Sequence, residues 1–249
     1  MTLASQIILV VCVNLFSAFI QASIGFGYAL IVMPLMALFL PMATCSAISA
    51  VTIVAIGIQM SVTLRKSLKI ATVVLPMLCC FATINVGLYL LATFDEFLLR
   101  IVLAFLLIVA TMSSIMVNKA KGGTASGKWY FAVIAGLLTG VSAGMFNIVG
   151  PFLLLYYFTV CDDTLHIKAS LEFSFLLAGI YSSIMHYFIY RNINAAVAPL
   201  ILAAVAAALV AGFVGIGIYR RLNKKRLASF VYVLLPVMAL ILVLNGIMK

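Results

Sequence analysis

The residues best suited to chemistry lie in a polar interruption of an apolar run. Gln21, Ser23, Gly25 and Gly27 fall within QASIGFGY, inside a run that is otherwise almost wholly apolar from residue 3 to residue 40. Glycine permits a sharp turn and lets a ligand approach the backbone. A helix that begins after such a turn offers unpaired N–H groups and the positive end of its dipole, which together attract anions. The stretch therefore predicts an anion-binding turn.

A weaker second copy of this pattern lies in the other half of the chain. Ser142, Gly144 and Asn147 fall within GLLTGVSAGMFNIVGP, and each copy is followed by a proline and then by an Ala and Ser step, at Ala47 and Ala169. Paired copies of this kind mark substrate sites in transporters built from repeats. The alternative interpretation is that the small residues only let helices pack closely. The predicted substrate-binding residues of the two copies together are Gln21, Ser23, Gly25, Phe26, Gly27, Tyr28, Ser142, Gly144 and Asn147.

Two titratable residues inside apolar blocks are candidates for proton coupling. Glu172 lies one helical turn after Lys168, and an ionisable residue within a membrane segment is a functional candidate by default. The alternative for Glu172 is an i,i+4 pair with Lys168 near the end of the block. His186 can change charge near neutral pH, although histidines near a membrane surface more often hydrogen-bond locally.

Membrane-spanning helices must position these residues. The chain has 249 residues, of which 67% are hydrophobic and 8% charged, and such values are foreign to soluble domains. Apolar blocks of about 20 residues recur along its whole length, as a helical bundle in a membrane requires. The formal charge of +10 lies in short connectors, where it sets orientation, so we expect the lipid bilayer as partner and no nucleic acid. The predicted segments are 3–22, 24–41, 43–64, 70–92, 97–117, 129–143, 145–160, 165–190, 195–219 and 227–248.

The segments divide into two similar halves. The connector KAKGGTASGK is basic and rich in glycine, which is typical of a linker. We predict a first transmembrane repeat at 1–118, a cytoplasmic linker at 119–128 and a second repeat at 129–249. The five cysteines form no C-x-x-C pair, and neither H-E-x-x-H nor a nucleophile with a base is present. We therefore expect no metal, no cofactor and no enzymatic activity.

The distribution of Lys and Arg predicts how the halves are related. If 3–41 and 129–160 each enter the membrane and return to the same face, twelve of the 15 basic residues fall on one face. If each crosses once, the division is eight against seven. The positive-inside rule favours the first arrangement. The predicted fold is thus an all-α integral membrane protein of two inverted repeats, each with a broken or re-entrant first helix pair followed by three transmembrane helices. Whether 3–41 and 129–160 span fully stays open.

The two glycine-containing motifs, with Ala47 and Ser49 after the first and Ala169 and Ser170 after the second, carry a family resemblance. The chain resembles the TauE/SafE family of sulfite exporter-like membrane proteins, also called the 4-toluene sulfonate uptake permease family. The resemblance implies a multi-pass secondary transporter of the bacterial inner membrane. Its expected substrates are sulfur-containing anions such as sulfite or organosulfonates, often moved outward.

The resemblance has limits along this chain. Its second motif has Gly144, Met145, Phe146 and Asn147 where the family has several adjacent glycines, and a more apolar lining favours an organic sulfonate. The alternatives are transport of another small organic anion, or a receptor or structural role in the membrane. The coupling ion, proton or sodium, is left open, and the sequence carries no mark of the oligomeric state.

Overall fold

The computed structural model describes residues 2–119, 129–161, 163–218 and 224–247. Over these residues the chain is helical and contains no strand. The α-helices are α1 Leu3–Ile24, α2 Tyr28–Met36, α3 Met42–Leu64, α4 Ile70–Thr93, α5 Glu96–Lys119, α6 Trp129–Phe146, α7 Gly150–Val160, α8 Thr164–Phe188, α9 Ala198–Ile218 and α10 Lys224–Ile247. A short 3-10 helix, Arg65–Ser67, follows α3.

Seven of these helices contain segments that are long and apolar enough to cross a membrane. Large apolar side chains such as Phe105, Leu202 and Phe213 are more than half exposed on the outside of the bundle. A helix that is apolar on its outer face suits a lipid environment. The prediction of an all-α, multi-pass membrane protein is therefore confirmed. The spans are Leu3–Ser23, Met42–Ser67, Ile70–Thr93, Glu96–Met116, Trp129–Phe146, Thr164–Phe188 and Ala198–Gly215.

Helices α3 and α8 pack against each other and run antiparallel. A Cβ on Gly57 would lie 2.9 Å from Cβ of Leu176, and one on Gly179 would lie 2.5 Å from a methyl group of Ile53. Residues later in α8 therefore contact residues earlier in α3, as antiparallel helices require. Small residues at these points let the two backbones approach closely.

Helices α4 and α6 pack face to face over most of their length. Gly136 lies against the carbonyl of Pro76, and Gly144 lies against the carbonyl of Ile84. The contacts advance in the same direction along both helices, so these two helices run parallel. Gly144 was predicted to lie at the second helix interruption, and that placement is wrong. It lies inside α6, where the missing Cβ serves helix packing instead.

One short helix follows the first helix of each half of the chain: α2 follows α1, and α7 follows α6. Residues 25–27 connect α1 to α2 and are called the first junction below. Residues 147–149 connect α6 to α7 and form the second junction. Residues 120–128 of the predicted linker lie outside the described residues, so the boundary between the proposed repeats stays a prediction.

We expect Gly140→Ala to lower the thermal stability of the detergent-purified protein. The new Cβ would overlap Oγ1 of Thr83 and the carbonyl of Cys80 on α4, and overpacking of this kind costs about 1–3 kcal/mol. Gly150→Ala is the matched control for folding, because its Cβ would meet only ordinary contacts at 3.6 Å or more. Equal melting temperatures for the two variants would contradict the close α4–α6 packing.

Candidate functional site

The first junction is shaped by two glycines. Gly25 and Gly27 have φ angles of +102° and +114°, which glycine adopts readily and other residues adopt at a cost. The Gly25 N–H donates to the carbonyl of Gln21 at 2.6 Å and closes α1. Helix α2 then begins at Tyr28. The predicted turn thus lies where the two glycines stand.

Gln21 connects this junction to the other half of the chain. Its Oε1 accepts the backbone N–H of Tyr28 at 3.1 Å, and its Nε2 donates to Oε2 of Glu172 at 3.0 Å. Gln21 and Glu172 are both fully buried. One of the N–H groups at the start of α2 is therefore held by a side chain in this conformation.

Glu172 and Lys168 give the first junction its charge. Oε1 of Glu172 is buried without a hydrogen-bond partner among the described residues, and Lys168 lies one helical turn earlier on α8. The Lys168 stem passes over Gly25, with Cγ and Cδ each 3.0 Å from where a Cβ would stand. Its Nζ donates to the carbonyl of Ala22 at 3.0 Å, near the negative end of α1.

Two more predicted residues of the first motif face different surroundings. The Ser23 hydroxyl is buried and has no hydrogen-bond partner among the described residues. The Tyr28 hydroxyl donates to Oδ1 of Asn14 at 2.6 Å. The Tyr28 side chain therefore joins α2 to α1, and only its backbone N–H lies at the junction.

The second junction is built without glycine at its first position. Asn147 has a φ angle of +56°, a left-handed conformation that asparagine tolerates better than most residues. Its N–H donates to the carbonyl of Ala143 at 2.8 Å. The Ser142 hydroxyl donates to the carbonyl of Ile148 at 2.7 Å and closes the chain on itself. Asn147 therefore stands where Gly25 stands in the first half.

Asn147 also connects its junction to the opposite half. Its Nδ2 donates to the carbonyl of Ser46 at 2.9 Å and to the Ser46 hydroxyl at 3.2 Å. The same hydroxyl lies 3.1 Å from Nε2 of His186. The other ring nitrogen of His186, Nδ1, lies 3.0 Å from Nδ2 of Asn192. His186 is fully buried.

Lys168 and Ser46 were not among the predicted site residues, yet each contacts the junction of the other half. A signal for both was present in the sequence. Lys168 directly precedes Ala169, and Ser46 directly precedes Ala47, in the two Ala and Ser steps. The equivalent positions carry a cation in one half and a hydroxyl in the other.

The two junctions lie close together. A Cβ on Gly150 would lie 3.8 Å from Cβ of Phe26 and 3.6 Å from the ring of Phe175. Phe175 is the twelfth of the 25 residues of α8, so this meeting point is about halfway along a spanning helix. The first junction has charged side chains, Lys168 and Glu172, and the second has uncharged polar side chains. The aromatic side chains of Phe26 and Phe175 lie where the two junctions meet.

No group of three or more His, Cys, Asp or Glu suited to a metal occurs within the part of the chain that the structure describes. The polar contacts at the junctions offer hydrogen bonding and charge, which suit the binding of a small polar molecule.

The spanning helices, with buried polar groups at two adjacent junctions, define a multi-pass membrane protein. The chain matches the family model described as "Sulfite exporter TauE/SafE" over residues 10–242 and belongs to this family of membrane transporters. No curated protein and no solved structure matches the chain.

We expect Asn147→Gly to be better tolerated than Asn147→Ala. Both variants lose the hydrogen bonds to Ser46, but alanine also has to adopt the left-handed conformation, at a cost of about 1 kcal/mol. Thermal unfolding of the two purified variants measures the difference. If the alanine variant melts at the same temperature as the glycine variant, the left-handed backbone at residue 147 is wrong.

Proposed function

We propose that the protein is a secondary transporter, working as an exporter, for sulfur-containing anions such as organosulfonates or sulfite. In this proposal the anion binds where the two junctions meet. The observation that carries it is the contact of Phe26 with Gly150 halfway along α8, in a chain of the TauE/SafE family. Substrate sites near the midplane, between two interrupted helices, are usual in secondary transporters.

The helix contacts support an inverted repeat of α1–α5 and α6–α10. Helix α1 packs on α9 as α6 packs on α4, and α2 packs on α10 as α7 packs on α5. The central pair, α3 with α8, would be exchanged by the same operation, and its members run antiparallel. An axis that exchanges two antiparallel spanning helices is perpendicular to them and lies in the membrane plane. The repeats 1–118 and 129–249 would then be inverted.

The short helices support a broken or re-entrant first pair in each repeat. Helices α2 and α7 have 9 and 11 residues, or roughly 14 and 17 Å at 1.5 Å per residue. A hydrocarbon core of roughly 30 Å is much thicker. In our proposal both helices therefore start inside the membrane and return towards the face from which α1 and α6 entered.

Three features favour an anion at the junctions. The N-terminal ends of α2 and α7 direct the positive ends of their dipoles there, and Lys168 adds a cation at Gly25. The buried hydroxyl of Ser23 has no hydrogen-bond partner among the described residues, so it can donate to a sulfonate oxygen. Gln21 would release the Tyr28 N–H to the anion. In our proposal Gly144 acts only through helix packing, and the other predicted binding residues bind the substrate.

The residues directly before the second junction favour an organic substituent on the substrate. Met145 and Phe146 are buried at the end of α6, at positions where the resemblance to the family gives glycines. Apolar side chains stabilise an apolar substituent and do little for a small inorganic ion. An organosulfonate is therefore the preferred substrate in our proposal, and another small organic anion is the alternative. The proposed location is the bacterial inner membrane, and we expect no enzymatic activity.

Thermal stabilisation of the purified protein by a panel of anions tests the proposal. The panel contains sulfite, sulfate, thiosulfate, sulfoacetate, isethionate, taurine and carboxylates of matched shape. A ligand present at 100 times its Kd stabilises the folded state by about 2.7 kcal/mol, so an organosulfonate should raise the melting temperature measurably. Stabilisation by the carboxylates alone would shift the substrate class to other organic anions.

Gly25→Leu should abolish both this stabilisation and transport, with the protein still inserted in the membrane. The left-handed φ of Gly25 disfavours any side chain, and a leucine would meet the stem of Lys168. Gly150→Ala, already used as a folding control, shows whether a small change at the same meeting point is tolerated. A Gly25→Leu variant that transports normally would overturn the site.

We further propose that Glu172 couples transport to protons, with His186 as a second candidate. Glu172 is fully buried with one oxygen unpartnered among the described residues, and a buried carboxylate is costly unless it is neutralised. Glu172→Gln keeps a polar side chain beside Gln21 but cannot release a proton.

In proteoliposomes carrying a pH-sensitive dye, Glu172→Gln should retain anion binding and lose substrate-driven pH changes. The matched variant His186→Gln reports on the second candidate by the same measurement. An undiminished substrate-driven pH change in Glu172→Gln would exclude Glu172 as the coupling residue. If the pH change is lost only in His186→Gln, the coupling role belongs to His186.

A further inference from the structure

A cleft separate from the two junctions lies at the ends of α2, α5 and α10. It has a volume of about 680 Å³. It is lined by residues 37–41, by the start of α5 and by Asn245 and Gly246 in the last turn of α10. Since α3 and α5 begin beside it as spanning helices, the cleft lies at the level where helices leave the membrane.

Charges of opposite sign are arranged in order along this cleft. Arg100 is only 6% exposed, and its Nη2 donates to the carbonyl of Ala37 at 3.1 Å. Asp95 and Glu96 are exposed at the rim. They lie about one helical turn before Arg100, or roughly 6 Å along α5 at 1.5 Å per residue. The cation is therefore deep in the cleft and the acids are at its outer edge.

The two acids are held in place by the backbone. Oδ1 of Asp95 accepts the N–H of Leu98 at 2.7 Å and caps α5. Oε1 of Glu96 accepts the N–H of Met42 at 2.9 Å and caps α3. In each carboxylate the second oxygen retains acceptor capacity. The rim can therefore accept N–H groups of an ammonium without losing either cap.

Apolar side chains flank the same cleft. Leu38 and Phe97 line it and are 39% and 44% exposed, and Ile101 and Leu244 are exposed on the adjacent surfaces of α5 and α10. In a membrane protein such surfaces face acyl chains. The cleft thus combines a polar interior with an apolar approach.

We propose that this cleft binds the headgroup of an aminophospholipid. Its phosphate would lie at Arg100, its primary ammonium at Asp95 and Glu96, and its acyl chains along Leu38, Phe97 and the outer surfaces of α5 and α10. In a bilayer the phosphate of such a lipid lies deeper than its ammonium. The order of the charges in the cleft matches that order, and guanidinium groups bind phosphate by paired hydrogen bonds.

The headgroup can be identified by measuring the stability of the purified protein against three lipids with the same acyl chains. Phosphatidylethanolamine should raise the melting temperature more than phosphatidylcholine, whose quaternary ammonium has no N–H to donate, and more than phosphatidylglycerol, which has no cation. Native mass spectrometry should show the same order of retained lipid. Equal effects of the three lipids would overturn the proposal.

Arg100→Gln should remove the preference for phosphatidylethanolamine, whereas Arg65→Gln should not. The control makes the same change of charge on an exposed residue at the opposite end of α3. Stabilisation of the unmodified protein by soluble glycerophosphoethanolamine, equal to that by the lipid, would overturn the assignment to a lipid and indicate a free zwitterion instead.

Asp95→Asn provides a second variant that should fold even if Arg100→Gln does not. Asparagine can cap α5 as aspartate does, so stability without lipid should change little. The preference should move from phosphatidylethanolamine towards phosphatidylglycerol by several-fold in retained lipid, because the rim loses attraction for an ammonium. An unchanged preference would contradict the proposed orientation of the headgroup.

Discussion

The structure depends on satisfying polar groups at helix ends that lie inside an apolar bundle. Lipid provides no hydrogen bonds, so each buried N–H or C=O at a chain interruption needs a partner from the protein. At the first junction Gln21 serves the Tyr28 N–H and Lys168 serves the carbonyl of Ala22. At the second junction Ser142 serves the carbonyl of Ile148. These partners make an interruption of the helix tolerable there, and in our proposal they are also the polar groups for which a substrate competes.

The two junctions have related geometry and different chemistry. Each begins with a left-handed residue, Gly25 or Asn147, and each is contacted by the residue before an Ala and Ser step in the opposite half. In one case this residue is Lys168, with Glu172 one turn later, and in the other it is Ser46, held by His186. A change of charge at the first junction, at Lys168 or Glu172, therefore has no charged counterpart at the second junction. In our proposal the two related halves have different tasks for this reason.

Close helix packing supplies the rigid frame for these contacts. Gly87 and Gly144 face each other between α4 and α6, and Gly179 fits against Ile53 between α8 and α3. Without bulky side chains at these points the backbones approach closely, and dispersion contacts replace the hydrophobic driving force that lipid removes. The frame also explains why a glycine in a motif is ambiguous, since lack of a Cβ serves both a turn and a close helix contact.

The sequence by itself determined the class of protein, the ten α-helices among the described residues, most of their boundaries and the first junction. These properties follow from local signals: the length of the apolar blocks, and the polar, glycine-containing interruption at residues 21–27. Only the tertiary structure decided the partners, since Gln21 meets Glu172 across 151 positions and Asn147 meets Ser46 across 101. It also decided that Gly144 packs inside α6 while Asn147 makes the turn. Such pairings depend on how the two halves dock, and docking is set by the summed packing of many side chains, which no local pattern encodes.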